Sequence, residues 1–315
     1  TVARALEPHT DALAVACIEE AIELRDGGIS APILLLEGVF EPGELNLASA
    51  RDFWVMIDND QQLSWLEQAA VETPVTCWLK IDTGMHRLGF PASDAGMAAD
   101  RLASCRSVSA PIRYMTHLSS AEEPSLATTS RQIALFDDVM AGVCAERTIA
   151  NSAGILACPD SHADWVRPGI MLYGVSPFAD RTAADLGLKP AMNLTSELIA
   201  IKSIPAGAAV GYGGRWVAPS DTRLGVAAIG YGDGYSRHLG NDTPVIVGGR
   251  RVPMVGRISM DLITVDLNQV PVARVGDDVL LWGSGLPVEE LARAAGTIPY
   301  ELLCGVTQRV AMRVI

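Results

Sequence analysis

The sequence is short of the features that would mark a secreted, membrane or nucleic-acid-binding protein. Its six cysteines, Cys17, Cys77, Cys105, Cys144, Cys158 and Cys304, include no C-x-x-C pair. That scatter excludes a disulfide framework and a structural zinc site, and it fits a reducing cytoplasm. No apolar run approaches the ~18–20 residues that cross a bilayer. The opening TVARALEPHT has neither the basic start nor the apolar stretch of a signal peptide, so the chain reads as soluble, with no membrane partner. Basic residues are in deficit, 24 Lys and Arg against 37 Asp and Glu, for a net charge of -13 with no basic cluster, which excludes nucleic acid. The five histidines form no ligand cluster, so no metal is expected.

What the chain does have is apolar material: 49% of its 315 residues are hydrophobic and 19% charged, enough for a large core and for two domains. From Ala12 to about Gly174 short apolar runs alternate with amphipathic ones. ALAVAC (12–17), PILLLE (32–37), FWVMID (53–58), VTCWLKID (75–82), IRYMTHL (112–118), RTIAN (147–151) and WVRPGIMLYG (165–174) are expected as strands. IEEAIELRDGG, DQQLSWLEQAA and TTSRQIALFDDVMAGVCAE are expected as helices between them. Buried runs without polar alternation point to a parallel sheet covered on both faces. Seven such strands, with a helical VARALE before the first, suit an α/β (β/α)8 TIM-type barrel whose first strand lies upstream of Thr1. An open doubly wound sheet is the structural alternative.

Beyond a polar stretch at 181–190 the texture changes. Runs rich in Val, Ile and Thr (LTSELIAIKSI, LGVAAIG, TPVIVGG, DLITVDL, DDVLLWG), separated by Gly, Pro, Asn and Asp, imply an all-β domain with one helix, LPVEELARAAG. The boundary is expected near 185, giving domains 1–185 and 186–315.

In a barrel the chemistry lies at the C-terminal strand ends. There LKIDTGMHRLGF (79–90) offers Lys80 and Arg87, and an isolated ammonium on so apolar a strand requires a partner, a shifted pKa or modification, unless it snorkels to solvent. His117 ends another strand, as base or as orienting group. Asn151-Ser152-Ala153-Gly154 is a strand-to-helix turn suited to a phosphate, or simply an N-cap. Arg167 lies at the last strand mouth, and Gly169 allows close approach of a ligand. In the β domain AIGYGDGYSRHLG sets Tyr231 and Tyr235 among glycines without the βαβ context of a dinucleotide fingerprint. VGRISMDLITV brings Arg257, Met260 and Asp261, and TIPYELLCG brings Tyr300; both read as ordinary β-domain sequence if met alone.

Taken in order, LKIDTGMHRLGF, the NSAG turn, VRPGIMLYG, IGYGDGYSRHL, VGRISMDLITVDL and YELLCGVTQRVAMRVI resemble the alanine racemases, fold-type III pyridoxal-phosphate enzymes, over essentially the whole chain. The resemblance implies pyridoxal 5'-phosphate as cofactor, alanine as substrate and a homodimer with composite sites. It implies that Ser152, Gly169, Ile170 and Tyr300 hold the phosphate, that Asn151 belongs to the same cofactor site, and that Arg167 faces the pyridine nitrogen with His117 behind it. Tyr231, supplied by the other subunit, would be the base on one face of the substrate; because free tyrosine has a pKa near ~10, the role calls for nearby positive charge. Arg87 and the backbone of Met260, with Asp261 beside it, would meet the substrate carboxylate. Lys80 would be the lysine that many members carry carbamylated.

One departure follows. The family's second base is a lysine in a K-A-x-A-Y-G-H-G segment just ahead of the opening helix; Lys80, Lys189 and Lys202 stand in other positions. The expectation is a longer protein that carries this segment, and little or no racemase activity from residues 1–315 by themselves. A non-catalytic cofactor-binding relative and an amino-acid decarboxylase of the same plan are the alternative functions. Tyr231, Arg87 and Met260 argue against the former, and Arg167, which cannot give the ring nitrogen a proton, against the latter.

Overall fold

The structure, a computed structural model, describes residues 1–123 and 127–314. It divides into two compact units, Thr1–Pro168 and Gly169–Ile315. The division falls ahead of the change in texture near residue 185, because Ile170 and Val175 are buried in the core of the second unit.

The first unit is the wall of a (β/α) barrel. Leu13–Val15, Ile33–Leu35, Phe53–Ile57, Val75–Asp82, Val108–Met115 and Arg147–Thr148 pair in sequence order, every ladder parallel. A two-residue strand, Phe90–Pro91, pairs beside the end of Val75–Asp82. Helices Ile18–Asp26, Glu44–Arg51, Asp60–Gln68, Ala95–Ser104, Thr128–Val139 and Ser152–Ala157 make the crossovers. Period-2 alternation sets the two faces. Leu34, Met56, Trp78 and Met115 cluster with Leu36, Trp54 and Trp165 on one face, while Ile33, Leu35, Val55, Ile57, Cys77 and Leu79 are buried on the other. Register stacks the first set in rows: Met56 opposite Trp78, Trp78 opposite Arg113, Lys80 opposite Met115. Lys80 is therefore one row above Trp78 on the same face.

The expected seventh strand, 165–174, is corrected. It amounts to one parallel bridge between Thr148 and Trp165, after which Ile170–Tyr173 form a 3-10 turn. Pro168 has no N–H to give a ladder, which ends pairing there. Strand 147–151 is likewise only Arg147–Thr148, since Asn151 starts a helix. Helix 128–146 stops at Val139, and Gly142 takes φ +80° in the turn that follows.

In the second unit an antiparallel sheet runs Arg250–Pro253, Pro244–Val247, Asp278–Trp282, Leu194–Ile204, Thr222–Ala227, Ile263–Asp266. A bridge between Met254 and Val265 links its two outer strands, so the sheet curls on itself. Helix Val288–Ala295 buries Val288, Leu291 and Ala292, the i, i+3, i+4 face of an amphipathic helix. Residues 297–305, which read as ordinary β-domain sequence if met alone, contain helix Pro299–Gly305, with proline at its first position.

Candidate active site

At the C-terminal ends of the barrel strands, the first unit brings Lys80, Arg87, His117 and Arg167 together. Arg167 is the hub. Its guanidinium donates to the carbonyls of Thr116 (2.7 Å) and Ile149 (3.1 Å) and to Thr148 Oγ1 (2.6 Å), and it lies 3.3 Å from His117 Nδ1. Every partner is neutral. Because arginine only donates, His117 Nδ1 is the acceptor, which leaves the ring proton on Nε2.

The electrostatics follow from burial and from like charge. Desolvation pushes the Arg167 pKa down to about 10, which keeps it protonated at neutral pH. Burial and then the charges of Arg167, Lys80 and Arg87 push His117 down to about 3, so it is neutral. Lys80, 6% exposed, is pushed down to about 8 by burial and by Arg167 and Arg87, against a smaller pull from Asp58 and Asp82. Among the described residues, the ion pairs leave Lys80, Arg87 and Arg167 without a carboxylate partner. Lys80, Asp82, Met85, Arg87, Thr116 and His117 line a pocket here.

A local device presents Arg87. Asp82 Oδ1 accepts from the backbone N–H of Gly84, Met85 and His86 (2.9, 3.1 and 3.0 Å), folding the D-T-G-M-H turn around one carboxylate. Those bonds hold the Asp82 carboxyl below its ordinary range although burial opposes them. Gly89, at φ +119°, closes the turn where a Cβ would stand 2.8 Å from the backbone nitrogen of Asp82.

Asn151 and Ser152 follow strand Arg147–Thr148. Asn151 is the N-cap of helix Ser152–Ala157: its Oδ1 accepts from Gly154 N at 3.0 Å and its Nδ2 donates to Leu118 O at 3.3 Å. Ser152 is buried at the first helical position. The Arg167 N–H bonds Ala150 O at 3.0 Å, which sets this turn beside the arginine.

The remaining candidates are in the second unit. Gly169 precedes the Ile170–Tyr173 turn, and the Ile170 side chain is buried in the core there. Tyr231 and Met260 are brought together: Tyr231 N bonds Ser259 O (3.1 Å) and Gly232 N bonds Met260 O (2.8 Å). Tyr231 is 41% exposed, with the Arg237 guanidinium 5.9 Å from its ring centroid. Asp261 pairs with Arg309. Tyr300, on helix Pro299–Gly305, is 44% exposed. Tyr235, by contrast, is fully buried and stacked on Trp282, a core residue whose phenol burial pushes up.

Sequence reasoning missed several residues at the strand mouth. Asp58, just past Phe53–Ile57, is buried and has its carboxyl raised by desolvation, with Lys80 pulling it back. The strand-end rule would have found it. Gln132 left no signal, because a glutamine on an amphipathic helix reads as solvent-facing. It is buried, donating to His117 O (3.1 Å) and Thr83 Oγ1 (3.4 Å) and accepting from Ser119 N (2.9 Å), so it ties the loops after two strands together. Thr83 and Thr116 share a hydroxyl contact of 2.8 Å in the same layer.

Known proteins resemble this chain throughout. The family model "Alanine racemase, N-terminal domain" matches residues 1–177 and "Alanine racemase, C-terminal domain" matches 191–314. The alanine racemase of Vibrio atlanticus is 52% identical over 97% of this chain and 86% of its own length. The biosynthetic alanine racemase of Escherichia coli is 50% identical over 98% and 86%. Among solved structures, the biosynthetic alanine racemase of Pseudomonas aeruginosa superposes with a TM-score of 0.95 at 46% identity, covering 99% of this chain and 87% of that one. The enzyme of Acinetobacter baumannii gives 0.90 at 37%, covering 97% and 85%. Among the described residues no helix is long and apolar enough to cross a membrane. By sequence and by fold, the chain belongs to the alanine racemase family.

Proposed function

We propose that the protein interconverts L- and D-alanine, with pyridoxal 5'-phosphate as cofactor and two bases acting on opposite faces of the substrate. The observation that carries this reading is the positive charge at the strand mouth. Among the described residues Arg167, Lys80 and Arg87 converge without ion-paired carboxylates, a setting that an anionic cofactor and a substrate carboxylate would neutralise.

The residues present fit the group. Ser152, Gly169, Ile170 and Tyr300 would hold its phosphate. Ile170 has its side chain in a core, so its backbone N–H is what it offers, and Asn151, as N-cap, would fix the turn that bears Ser152. Arg167 would face the pyridine nitrogen, held in place by three neutral oxygens and His117. When bound, the cofactor supplies an electron-withdrawing ring that acidifies the substrate's α-C–H bond. Arg167 has no proton to give that ring at neutral pH, so it orients without over-polarising, which favours return of the proton over side reactions.

Tyr231 Oη would take the α-proton from one face, or return it, with the Arg237 guanidinium beside the ring. The tyrosine would come from the partner of a homodimer. Arg87, aimed by the Asp82 turn, and the Met260 backbone beside Asp261 would hold the substrate carboxylate. Lys80, with an amine pKa near 8, has a neutral fraction able to attack carbon dioxide: the nitrogen lone pair forms the C–N bond, one amine proton leaves to solvent, and the carbamate anion then accepts from Arg87. The opposite face calls for the family's lysine in the K-A-x-A-Y-G-H-G segment, which residues 1–315 do not contain. We assign residues 1–185 to the cofactor-binding domain and 186–315 to the β domain. The protein would act in the cytoplasm, supplying D-alanine for peptidoglycan precursors, a reading supported by the biosynthetic relative of Escherichia coli.

The test is Tyr231→Phe in protein that includes the lysine segment. The equilibrium constant of racemisation is unity, so kcat/KM must fall equally in both directions. The discriminating measurement is α-hydrogen exchange in deuterium oxide. One enantiomer should exchange without inverting at least about tenfold faster than it converts, consistent with loss of one general base. Near-wild-type turnover, with exchange and inversion in step from both enantiomers, would refute the assignment.

A further inference from the structure

The geometry points to Arg309 as a positioning residue that locks the Tyr231 loop to the Met260 loop; this rests on Tyr231 being the base. Arg309 reaches both loops with one guanidinium. Its Nη2 donates to Asp261 Oδ1 at 2.7 Å, and its Nε lies 3.4 Å from Asp233 Oδ1. Asp233 turns its other oxygen to the Gly230 N–H at 2.9 Å, so the arginine holds a carboxylate that already caps the Tyr231 turn. Thr307 adds two bonds to the same turn, its N–H to Asp233 O and its hydroxyl to Gly232 O, both at 3.1 Å.

The glycines of G-Y-G-D-G carry the same message. A Cβ on Gly232 would stand 2.2 Å from Arg309 Nη1, and one on Gly234, at φ +95°, would stand 1.9 Å from Gly305 O. A Cβ on Gly230 would meet the carbonyls of Ser259 and Met260 at 2.4 Å. Glycine thus stands at 230, 232 and 234, where the Met260 loop, Arg309 and Gly305 leave no room for a Cβ. An exposed ion pair is worth little by itself. Here one cation spans two loops that each bear a functional residue, and its effect is on placement. Without it, Asp261 would lose its ion-pair partner, Asp233 would keep only its bond to the Gly230 N–H, and the tyrosine turn would lose its clamp.

The test compares Arg309→Ala, Arg309→Lys and Gly232→Ala, the last evicting the guanidinium while retaining the arginine. By amide hydrogen exchange, Arg309→Ala should speed exchange at 231–234 by about tenfold or more, with exchange in the sheet strands unchanged. In protein with the lysine segment, kcat should fall by about tenfold to a hundredfold, as for a misplaced catalytic group, with KM for alanine within about threefold. Arg309→Lys should recover part of both effects. Gly232→Ala should reproduce them in the wild-type background and add little in Arg309→Ala, because both changes remove the same guanidinium from its place. Unchanged loop exchange and kcat in Arg309→Ala, or fully additive losses in the double variant, would overturn the inference. If Arg309→Ala does not fold, Arg309→Lys and Gly232→Ala decide it by the same readouts. Should Tyr231→Phe keep full activity, the base assignment fails whatever Arg309 does. Should Tyr231→Phe lose activity while the Arg309 variants keep theirs, only the clamp fails.

Discussion

The neutral histidine behind Arg167 makes a stability prediction that needs no cofactor. His117 has a folded pKa near 3 against an ordinary 6.5, because charging it would place a second cation against Arg167 in a desolvated site. Its folded pKa is the depressed one, so between pH 6.5 and 3 the unfolded chain binds the extra proton and stability falls as pH falls. From pH 7 to pH 5 the loss works out at about 2 kcal/mol, with a limiting slope of about 1.4 kcal/mol per pH unit. Urea unfolding of wild type and His117→Gln at both pH values measures it. Glutamine retains an acceptor for the Arg167 N–H, so the variant should be of similar stability at pH 7 and should lose about 2 kcal/mol less on acidification. Parallel losses in the two proteins would mean that the imidazole titrates as it does in water, and the description of the Arg167 site would be wrong.

Other consequences are open to measurement. Lys80 works in the opposite pH range: with a folded pKa near 8 against 10.5, stability should climb by about 1.4 kcal/mol per unit between those values, and Lys80→Met should flatten the climb. Adding bicarbonate should raise the intact mass by one carbon dioxide in wild type and leave Lys80→Met unchanged; no gain in wild type would remove the carbamate from the mechanism. Gln132→Leu should cost about 1–3 kcal/mol in urea unfolding, because it strands the N–H of Ser119 and the carbonyl of His117 in a partly buried layer. Gly174→Ala should destabilise by about 3 kcal/mol or more, since Gly174 has φ +72° and a Cβ would stand 1.6 Å from Lys189 O; a change under about 1 kcal/mol would show that the 174–190 segment packs differently.

Much of this protein was legible before any coordinates. Buried runs such as VTCWLKID and FWVMID became strands Val75–Asp82 and Phe53–Ile57 because consecutive apolar residues suit a sheet covered on both faces. The change to Val, Ile and Thr runs located the antiparallel sheet, and the apolar run VTCWLKID put Lys80 on a strand. Family motifs named most of the residues proposed here for the site. Tertiary structure decided what period and motif do not encode. WVRPGIMLYG reads as a strand, yet Pro168 and the pull of Ile170 into another core leave only a bridge at Trp165. Asp58 and Gln132 gain their importance from being buried beside His117 and Lys80, and Arg309 gains its own from lying 2.7 Å from Asp261, a residue 48 positions away. Local sequence sets the conformation of a segment through sterics and hydrophobic period. Which charges are desolvated, and which polar groups are shared between distant loops, depends on contacts that exist only once the chain has folded.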